Sequence, residues 1–277
     1  MKNINTLVAD IYATLEGKMP TGSFSPLNMT EALQNVYAKA NTIKERPPKT
    51  LYFSELGDPC PRKLNYRVNS PELAESIDGN TRLKFFYGDV LESLVLSLAE
   101  ASGHTVSDKQ RRVELELDNS WKVKGRIDAV IDGALVDVKS TTKFGEEKFK
   151  NGLQDDPFGY KMQLGGYAVA LELQQCGFLT IQKELGHVGY YPIEVSKQAV
   201  LDGAHAAVSY VERPLQELPR LDPVPQSKTS KNKKLCTTCS YCSYKKHCWP
   251  EMRTFLYSDG PVFLTEVVDV PRVAELV

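Results

Sequence analysis

The sequence has almost no net charge and no long apolar segment. Its 277 residues carry a formal charge of −1, so no global basic field attracts nucleic acid, and any such contact must come from local patches. No apolar run approaches the length that spans a membrane. The first residues, MKNINTLVADIYATLEGK, lack the apolar segment and cleavage site of a signal peptide and instead predict an amphipathic helix. Internal repeats are absent. We therefore expect a cytoplasmic protein.

Cysteine is scarce but clustered. Six cysteines are present, and four of them fall within the thirteen residues from Cys236 to Cys248. In a cytoplasmic protein such a cluster favours metal binding over disulfide formation. Cys176 stands apart from the cluster and is expected to be a small buried residue.

The composition is that of a soluble globular protein, with 42% hydrophobic and 25% charged residues, and the order of elements predicts an α/β domain with a mixed sheet. We predict a helical extension over 1–50, a core over 51–220, a Pro- and Lys-rich linker over 221–234, and a cysteine module with a tail over 235–277. Predicted helices are 1–44, a short one within 51–70, 85–103 closed by Gly103, 157–176 and 196–217; predicted strands are 106–117, 121–131, 134–140 and one within 186–195.

The stretch GRIDAVIDGALVDVKSTT at 125–142 predicts a hairpin. Asp132-Gly133 between alternating segments is the signature of a two-residue type I′ turn. That turn places Asp128 opposite Asp137, with Lys139 on the same face as Asp137 and opposite Arg126. The other face is apolar and suited to a core: Ile127, Ala129, Ile131, Ala134, Val136 and Val138.

Opposed carboxylates in an apolar strand need an explanation, and two remain open at this point. Two close carboxylates cannot both ionise cheaply, and a hard divalent cation such as Mg²⁺ resolves that conflict through oxygen ligands. Alternatively, Asp128 and Asp137 are partly exposed and form salt bridges with Arg126 and Lys139. The tripeptide Asp-x-Lys decides nothing alone, since Glu16-Gly-Lys18 and Glu146-Glu-Lys148 match a D/E-x-K pattern too.

Further polar residues lie on the predicted helices. Glu92 is on the flank of an apolar stripe made by Leu91, Leu94, Val95 and Leu98, where it serves as a third carboxylate or simply faces solvent. Gln163 and Tyr167 are four residues apart and share one helical face. The intervening Gly165 and Gly166 lower helix propensity, which indicates that something approaches this helix closely; a polar face with packing glycines is the alternative.

In chain order, Glu92, Asp128, Asp137-x-Lys139 and Gln163-x-x-x-Tyr167 resemble the motifs of the PD-(D/E)XK nuclease superfamily, specifically its RecB-like exonuclease branch, over roughly residues 51–250. The resemblance implies a restriction-endonuclease-like core and a metal-dependent DNA exonuclease that acts in recombination, repair or processing of DNA ends. It assigns Mg²⁺ or Mn²⁺ to Glu92, Asp128, Asp137 and the carbonyl of Val138, with a water activated by the metal as nucleophile. Lys139 would then orient that water or stabilise charge, and Gln163 and Tyr167 would position the DNA end or a metal-bound water. The phosphate contacts expected are Arg62, Lys63 and Arg126.

The cysteines extend the resemblance. Cys60, followed by Pro-Arg, together with Cys239-x2-Cys242-x5-Cys248, looks like the pattern of the iron–sulphur nucleases, which include the AddB nuclease domain and the nucleases of CRISPR spacer acquisition. The resemblance implies a [4Fe–4S] cluster on Cys60, Cys239, Cys242 and Cys248. Two departures stand out. Many relatives have histidine at the position of Glu92, and the extra Cys236 permits a rival zinc site on Cys236, Cys239, Cys242 and Cys248.

Two other functional classes remain open from the sequence. One is a DNA-binding or recombination scaffold whose nuclease site is inactive. The other is a zinc-binding interaction protein whose hairpin acids form ordinary salt bridges. DNA is the partner that the resemblance implies; a helicase, recombinase or CRISPR partner is compatible with it but is not specified by any residue.

Overall fold

The computed structural model describes residues 2–22 and 45–276. The described chain divides into two compact units. The first consists of the residues up to Gly57, Ile77–Asp156 and Tyr160–Ala204; the second consists of Asp58–Ser76, Pro157–Gly159 and the residues from His205 onward.

Eight α-helices are assigned within the described residues. They are α1 Leu7–Leu15, α2 Pro61–Asn69, α3 Gly79–Ala101, α4 Lys143–Lys150, α5 Tyr160–Ala170, α6 Lys197–Glu212, α7 Thr237–Ser240 and α8 Lys245–Cys248. The longest, α3, begins where the side chain of Asp78 accepts a hydrogen bond from Thr81 N–H, and it ends before Gly103, whose φ of +84° suits the left-handed position after a helix. None of these helices has the length and apolar character needed to cross a membrane.

The strands of the described residues form three sheets. They are β1 Thr50–Tyr52, β2 Val106–Ser107, β3 Arg112–Glu116, β4 Lys122–Arg126, β5 Ala129–Ile131, β6 Ala134–Thr141, β7 Cys176–Gln182, β8 Val188–Ile193, β9 Val224–Pro225, β10 Lys233–Lys234, β11 Arg253–Tyr257, β12 Gly260–Glu266 and β13 Glu275–Leu276. The first unit contains the sheets β1-β4-β3 and β2-β5-β6-β7-β8. Both are mixed, because β1 is parallel to β4 and β6 is parallel to β7. The predicted mixed α/β class is thereby confirmed.

The predicted hairpin is present between β5 and β6. Asp132 and Gly133 have φ values of +50° and +85°, as a type I′ turn requires, and Val130 pairs with Leu135 in the expected register. The apolar face of the hairpin packs on α1 and α3, so the main core of the first unit lies between those helices and the five-stranded sheet. Its members include Leu7, Ile11, Val95, Leu96, Ala99, Ala129, Ile131, Ala134, Val136 and Val138. Leu94, predicted to be part of the apolar stripe, is exposed instead.

The two long strands predicted at 106–117 and 121–131 each bend from one sheet into the other. Ser107 pairs with Val130 and Arg112 with Arg126, so the four residues 108–111 face the three residues 127–129. One extra residue on one strand is the arrangement of a β-bulge, which bends the pair and is frequent beside active sites. Beyond the bulge Arg126 pairs with Arg112 in the other sheet, and the ladder between β5 and β6 does not extend to the predicted pair of Arg126 and Lys139.

Several elements differ from the sequence prediction. The helix predicted over 157–176 ends at Ala170, and Cys176 is the buried first residue of the unpredicted strand β7. The short helix α4 and strand β1 were also unpredicted. Of the helix predicted over 1–44, Leu7–Leu15 is helical, while 23–44 lies outside the described residues.

The second unit contains the third sheet, in the order β13-β11-β12-β10-β9. The segment 221–234, predicted to be a mobile linker, contributes the two short strands β9 and β10 to this sheet. Helix α2 is fixed within the unit because the amide of Asn65 donates to the carbonyls of Tyr210 and Arg213 at 2.8 and 2.9 Å. The remaining short helices, α7 and α8, contain one clustered cysteine each, Cys239 and Cys248, and Cys242 lies between the two helices.

Candidate active site

Strand β6 supplies the centre of the site. It lies between β5 and β7, and Asp137 is only 5% exposed on it. The ammonium Nζ of Lys139 lies 2.5 Å from Asp137 Oδ2. Burial opposes the charged form of Lys139, but the carboxylates of Asp137 and Asp128 outweigh it and raise the pKa of the ammonium above its usual value. Lys139 therefore stays protonated and positively charged at neutral pH.

Asp128 reaches the same strand through its side chain. The ladder between β5 and β6 ends at Ala129 and Val136, so Asp128 is no longer paired across the sheet as the sequence predicted. Its Oδ2 instead accepts a hydrogen bond from the backbone N–H of Val138 at 2.7 Å. Burial, followed by the charges of Asp137 and Glu92, raises the pKa of Asp128 well above its usual range. The two aspartates are close, as predicted, but this is because the side chain of Asp128 reaches the backbone of β6 and not because the two residues are paired across the sheet.

Glu92 is the third carboxyl group, on α3. It is half-buried, and burial, followed by the charges of Asp89 and Asp137, raises its pKa. The amide Nε2 of Gln110 donates to Glu92 Oε1. The mutual effects among Glu92, Asp128 and Asp137 show that the structure brings together the three carboxyl groups predicted from the sequence.

Gln110 is a site residue that sequence reasoning missed. It lies in the bulge at 108–111 with a left-handed φ of +57°, which is uncommon for a residue other than glycine. Its backbone N–H donates to the carbonyl of Asp128 at 3.0 Å while its side chain holds Glu92. Gln110 thus connects the segments that contain two of the three carboxyl groups, and nothing in the sequence pattern indicates this because the bulge arises from tertiary pairing.

The donor set fits a hard divalent cation. Asp137 Oδ2 is buried, and apart from the ion pair with Lys139 no hydrogen bond of acceptable geometry reaches it among the described residues. Mg²⁺ is typically bound through one or two carboxylates, with waters and substrate phosphate completing its shell. Within the described part of the chain no three His, Cys, Asp or Glu side chains are close enough to hold one metal ion between them. The arrangement therefore fits a site of few protein ligands, such as Asp128 and Asp137.

Gln163 and Tyr167 of α5 lie beside β4. The phenol oxygen of Tyr167 accepts a hydrogen bond from Arg126 N–H at 3.4 Å, and Gln163 forms a hydrogen bond with the same phenol. Burial raises the pKa of Tyr167. The glycines of α5 explain its close packing: a Cβ on Gly166 would lie 2.5 Å from the ring of Phe53, so the group that approaches this helix belongs to the protein itself.

The three basic residues predicted to contact phosphates have different surroundings. Arg126 is exposed. Arg62 donates to the carbonyls of Leu215 and Leu218 at 3.0 and 3.1 Å, and Lys63 forms an ion pair with Asp58 at 2.6 Å. These contacts within the second unit favour a structural role for Arg62 and Lys63, whereas Arg126 is free to meet a phosphate.

Four cysteines of the second unit line one pocket: Cys60, Cys239, Cys242 and Cys248. All four are buried free thiols, and burial raises the pKa of Cys60 to about 11. Cys236, the extra cysteine, is half-buried and is not among the lining residues. Cys236 nevertheless forms a side-chain hydrogen bond with Cys239, so all five cysteines of the second unit lie in one region.

Comparison with known proteins adds a family and a fold. The profile of the PD-(D/E)XK nuclease superfamily matches residues 61–249. Among solved structures the chain is similar to SSO0001, at 20% identity over 78% of this chain and 94% of that chain with a TM-score of 0.50. It is also similar to an alkaline exonuclease, LHK-Exo from Laribacter hongkongensis, at 14% identity over 64% of this chain and 90% of that chain with a TM-score of 0.42. No curated protein sequence matches.

Proposed function

Because the chain belongs to the PD-(D/E)XK nuclease superfamily, with a mixed sheet flanked by helices as in a restriction-endonuclease-like core, we propose that it is a metal-dependent DNA exonuclease. It hydrolyses phosphodiester bonds at DNA ends in recombination, repair or end processing. The observation that carries the proposal is the arrangement on β6, where Asp128 is hydrogen-bonded to Val138 N–H between Asp137 and Lys139. Asp128 and Asp137 thus lie beside the ammonium of Lys139, and Glu92 is near enough for its charge to act on Asp128.

The residues divide the chemistry between them. Asp137 and Asp128, with the carbonyl of Val138, would hold Mg²⁺ or Mn²⁺, and Glu92 would contribute through a bound water. The ion, when bound, would supply a water of lowered pKa and neutralise phosphate charge. The ammonium of Lys139 would donate a hydrogen bond to the attacking water or to a phosphate oxygen, and its raised pKa keeps it charged through the reaction. Gln163 and Tyr167 orient the DNA end, and exposed Arg126 binds a neighbouring phosphate.

The cysteine pocket belongs to the same proposal. We assign Cys60, Cys239, Cys242 and Cys248 to a [4Fe–4S] cluster, as in the iron–sulphur branch that the sequence resembles. The four buried thiols that line one pocket support this assignment. Cluster binding would replace four thiol protons and join α2 to α7 and α8 within the second unit. The role is structural, since cysteine thiolates in such a buried pocket hold the chain rather than contact DNA.

The test is digestion of single- and double-stranded DNA labelled at the 5′ or the 3′ end, by protein purified without oxygen, in Mn²⁺, in Mg²⁺ and in EDTA. We expect product in the two metals and none in EDTA, with shortening from one labelled end. Equal product in EDTA would remove the metal from the mechanism. Absence of product in both metals, from protein shown to be folded, would reject the nuclease and favour a DNA-binding scaffold.

A further inference from the structure

Lys139 has a second neighbour besides Asp137. Its ammonium Nζ lies 4.9 Å from the centroid of the Tyr160 ring, over the ring face. A cation within about 6 Å of an aromatic centroid is attracted by the negative face of the ring, and more strongly when water is excluded. Tyr160 is the first residue of α5 and lies three residues before Gln163.

The ring of Tyr160 is itself held in place. Its backbone N–H donates to Asp156 Oδ1 at 3.0 Å. The ring stacks on Phe149 with a centroid separation of 6.2 Å and an interplanar angle of 13°, and it contacts Phe178 at 6.4 Å. Both the backbone and the ring plane of Tyr160 are therefore fixed before Lys139 is considered.

We propose that Tyr160 is a positioning residue, which acts through Lys139 to aim its ammonium at the scissile phosphate. The inference rests on the proposed nuclease function. A lysine side chain has many rotamers, and one ion pair with Asp137 leaves the ammonium free to swing around that carboxylate. The face of the Tyr160 ring attracts the ammonium and limits the positions that it can take around Asp137. The N–H groups that do not point to Asp137 or the ring stay available to substrate.

The kinetic test separates this role from ordinary packing. Tyr160→Leu removes the ring, and Tyr160→Phe keeps the ring face and removes only the hydroxyl. Tyr191→Leu serves as the control, because Tyr191 stacks on Phe149 in the same aromatic cluster. We expect Tyr160→Leu to lower kcat roughly tenfold, the size of a partly buried cation–π contact, with KM nearly unchanged. Tyr160→Phe should stay within about twofold of wild type.

Tyr191→Leu should lose stability comparable to that of Tyr160→Leu but retain most of kcat. Equal losses of kcat in Tyr191→Leu and Tyr160→Leu would overturn the inference in favour of a packing role. Loss in Tyr160→Phe as large as in Tyr160→Leu would also overturn it, because the hydroxyl and not the ring face would then be responsible.

A spectroscopic measurement tests the contact without any cleavage. In protein labelled with ¹³C-lysine, the Cε–Hε signal of Lys139, assigned by its absence in Lys139→Arg, should be shifted upfield by the ring current of Tyr160. The shift should persist in Tyr160→Phe and disappear in Tyr160→Leu. An ordinary chemical shift in wild type would overturn the inference. If the shift is present but the protein cleaves no DNA, the contact is supported and it is the nuclease function that fails.

Discussion

The carboxylate of Asp128 is hydrogen-bonded to the backbone N–H of Val138 at 2.7 Å. Val138 stands between Asp137 and Lys139 in β6. This one hydrogen bond therefore holds the carboxylate of Asp128, which precedes the hairpin, beside the strand that contains Asp137 and Lys139. A backbone N–H cannot change rotamer. Asp128 therefore keeps its place beside Asp137 even though like charges oppose the contact.

The strain of this arrangement predicts a pH dependence. Burial and the neighbouring charges raise the pKa of Asp128 in the folded protein, so the folded state binds the proton more tightly than the unfolded chain. Without divalent cations, the stabilisation from that proton is fully present below about pH 4, the unfolded pKa of aspartate, and is lost as the pH rises through the raised pKa. Asp128→Asn, which keeps an acceptor for Val138 N–H, should flatten this decline and raise the Tm at neutral pH.

The measurement is thermal unfolding in EDTA as a function of pH. Asp118→Asn, on an exposed residue, is the matched control and should follow the wild-type curve. If Asp128→Asn falls with pH as steeply as wild type, the raised pKa of Asp128 is not the source of the instability.

Gln110 is expected to control metal affinity. Gln110→Asn keeps a residue that tolerates the left-handed φ of +57° but shortens the amide so that it no longer reaches Glu92. Loss of a partner that orients a metal ligand typically lowers metal affinity roughly tenfold or more. We expect the Mn²⁺ concentration for half-maximal cleavage to rise by that factor, with the rate recovered at saturating Mn²⁺. Gln198→Asn, which alters an exposed amide–carboxylate pair with Asp202 on α6, should leave the Mn²⁺ titration unchanged.

Close packing at Gly125 gives a stability prediction. A Cβ there would lie 2.6 Å from Cε1 and the phenol oxygen of Tyr167 and 2.9 Å from the ring of Phe53. Gly125→Ala must displace the tyrosine, so we expect it to lower the free energy of unfolding by about 1–3 kcal/mol and to reduce cleavage. Gly88→Ala is the control: it meets open space on α3 and should stabilise the helix by up to about 1 kcal/mol. Urea unfolding of both variants checks this; equal stabilities would contradict the packing of Tyr167.

The cysteines distinguish an iron–sulphur cluster from a zinc ion. With the cluster, Cys60→Ser should lose most of the iron and lower the Tm, whereas Cys236→Ser and Cys176→Ser should keep both. With zinc on Cys236, Cys239, Cys242 and Cys248, the effects of Cys60→Ser and Cys236→Ser would be reversed. Iron, acid-labile sulphide and zinc are measured in protein purified without oxygen. Zinc without iron in wild type would reject the cluster.

The sequence predicts those parts of the fold that local chemistry determines. Asp132-Gly133 sets the hairpin register, and Gly103 ends α3. Strand β7 was not predicted, because its seven residues are all buried and so show no alternation. Its first residue, Cys176, was assigned to the end of a helix because the preceding segment ALELQQ favours one. In the C-terminal sheet, β10 and β13 are two-residue strands whose partners β12 and β11 are distant in the sequence. The hairpin of β11 and β12 is local and was overlooked.

The candidate site shows the same limit. Glu92, Asp128, Asp137 and Lys139 are recognisable by order and residue type, and the structure brings them together. Gln110 and Tyr160 are not, since one depends on a bulge and the other on the position of α5 against β6. Both act through other side chains, and such roles leave no pattern in one sequence.

The most direct test of the account compares wild type with Asp137→Asn. Cleavage of end-labelled DNA is measured in Mn²⁺, and DNA affinity is measured separately in EDTA. Since metal coordination contributes several kcal/mol to phosphodiester hydrolysis, we expect the cleavage rate of the variant to fall by roughly a thousandfold or more, with DNA affinity and Tm in EDTA retained. Cleavage by Asp137→Asn near the wild-type rate would contradict the assignment of the active site to β6.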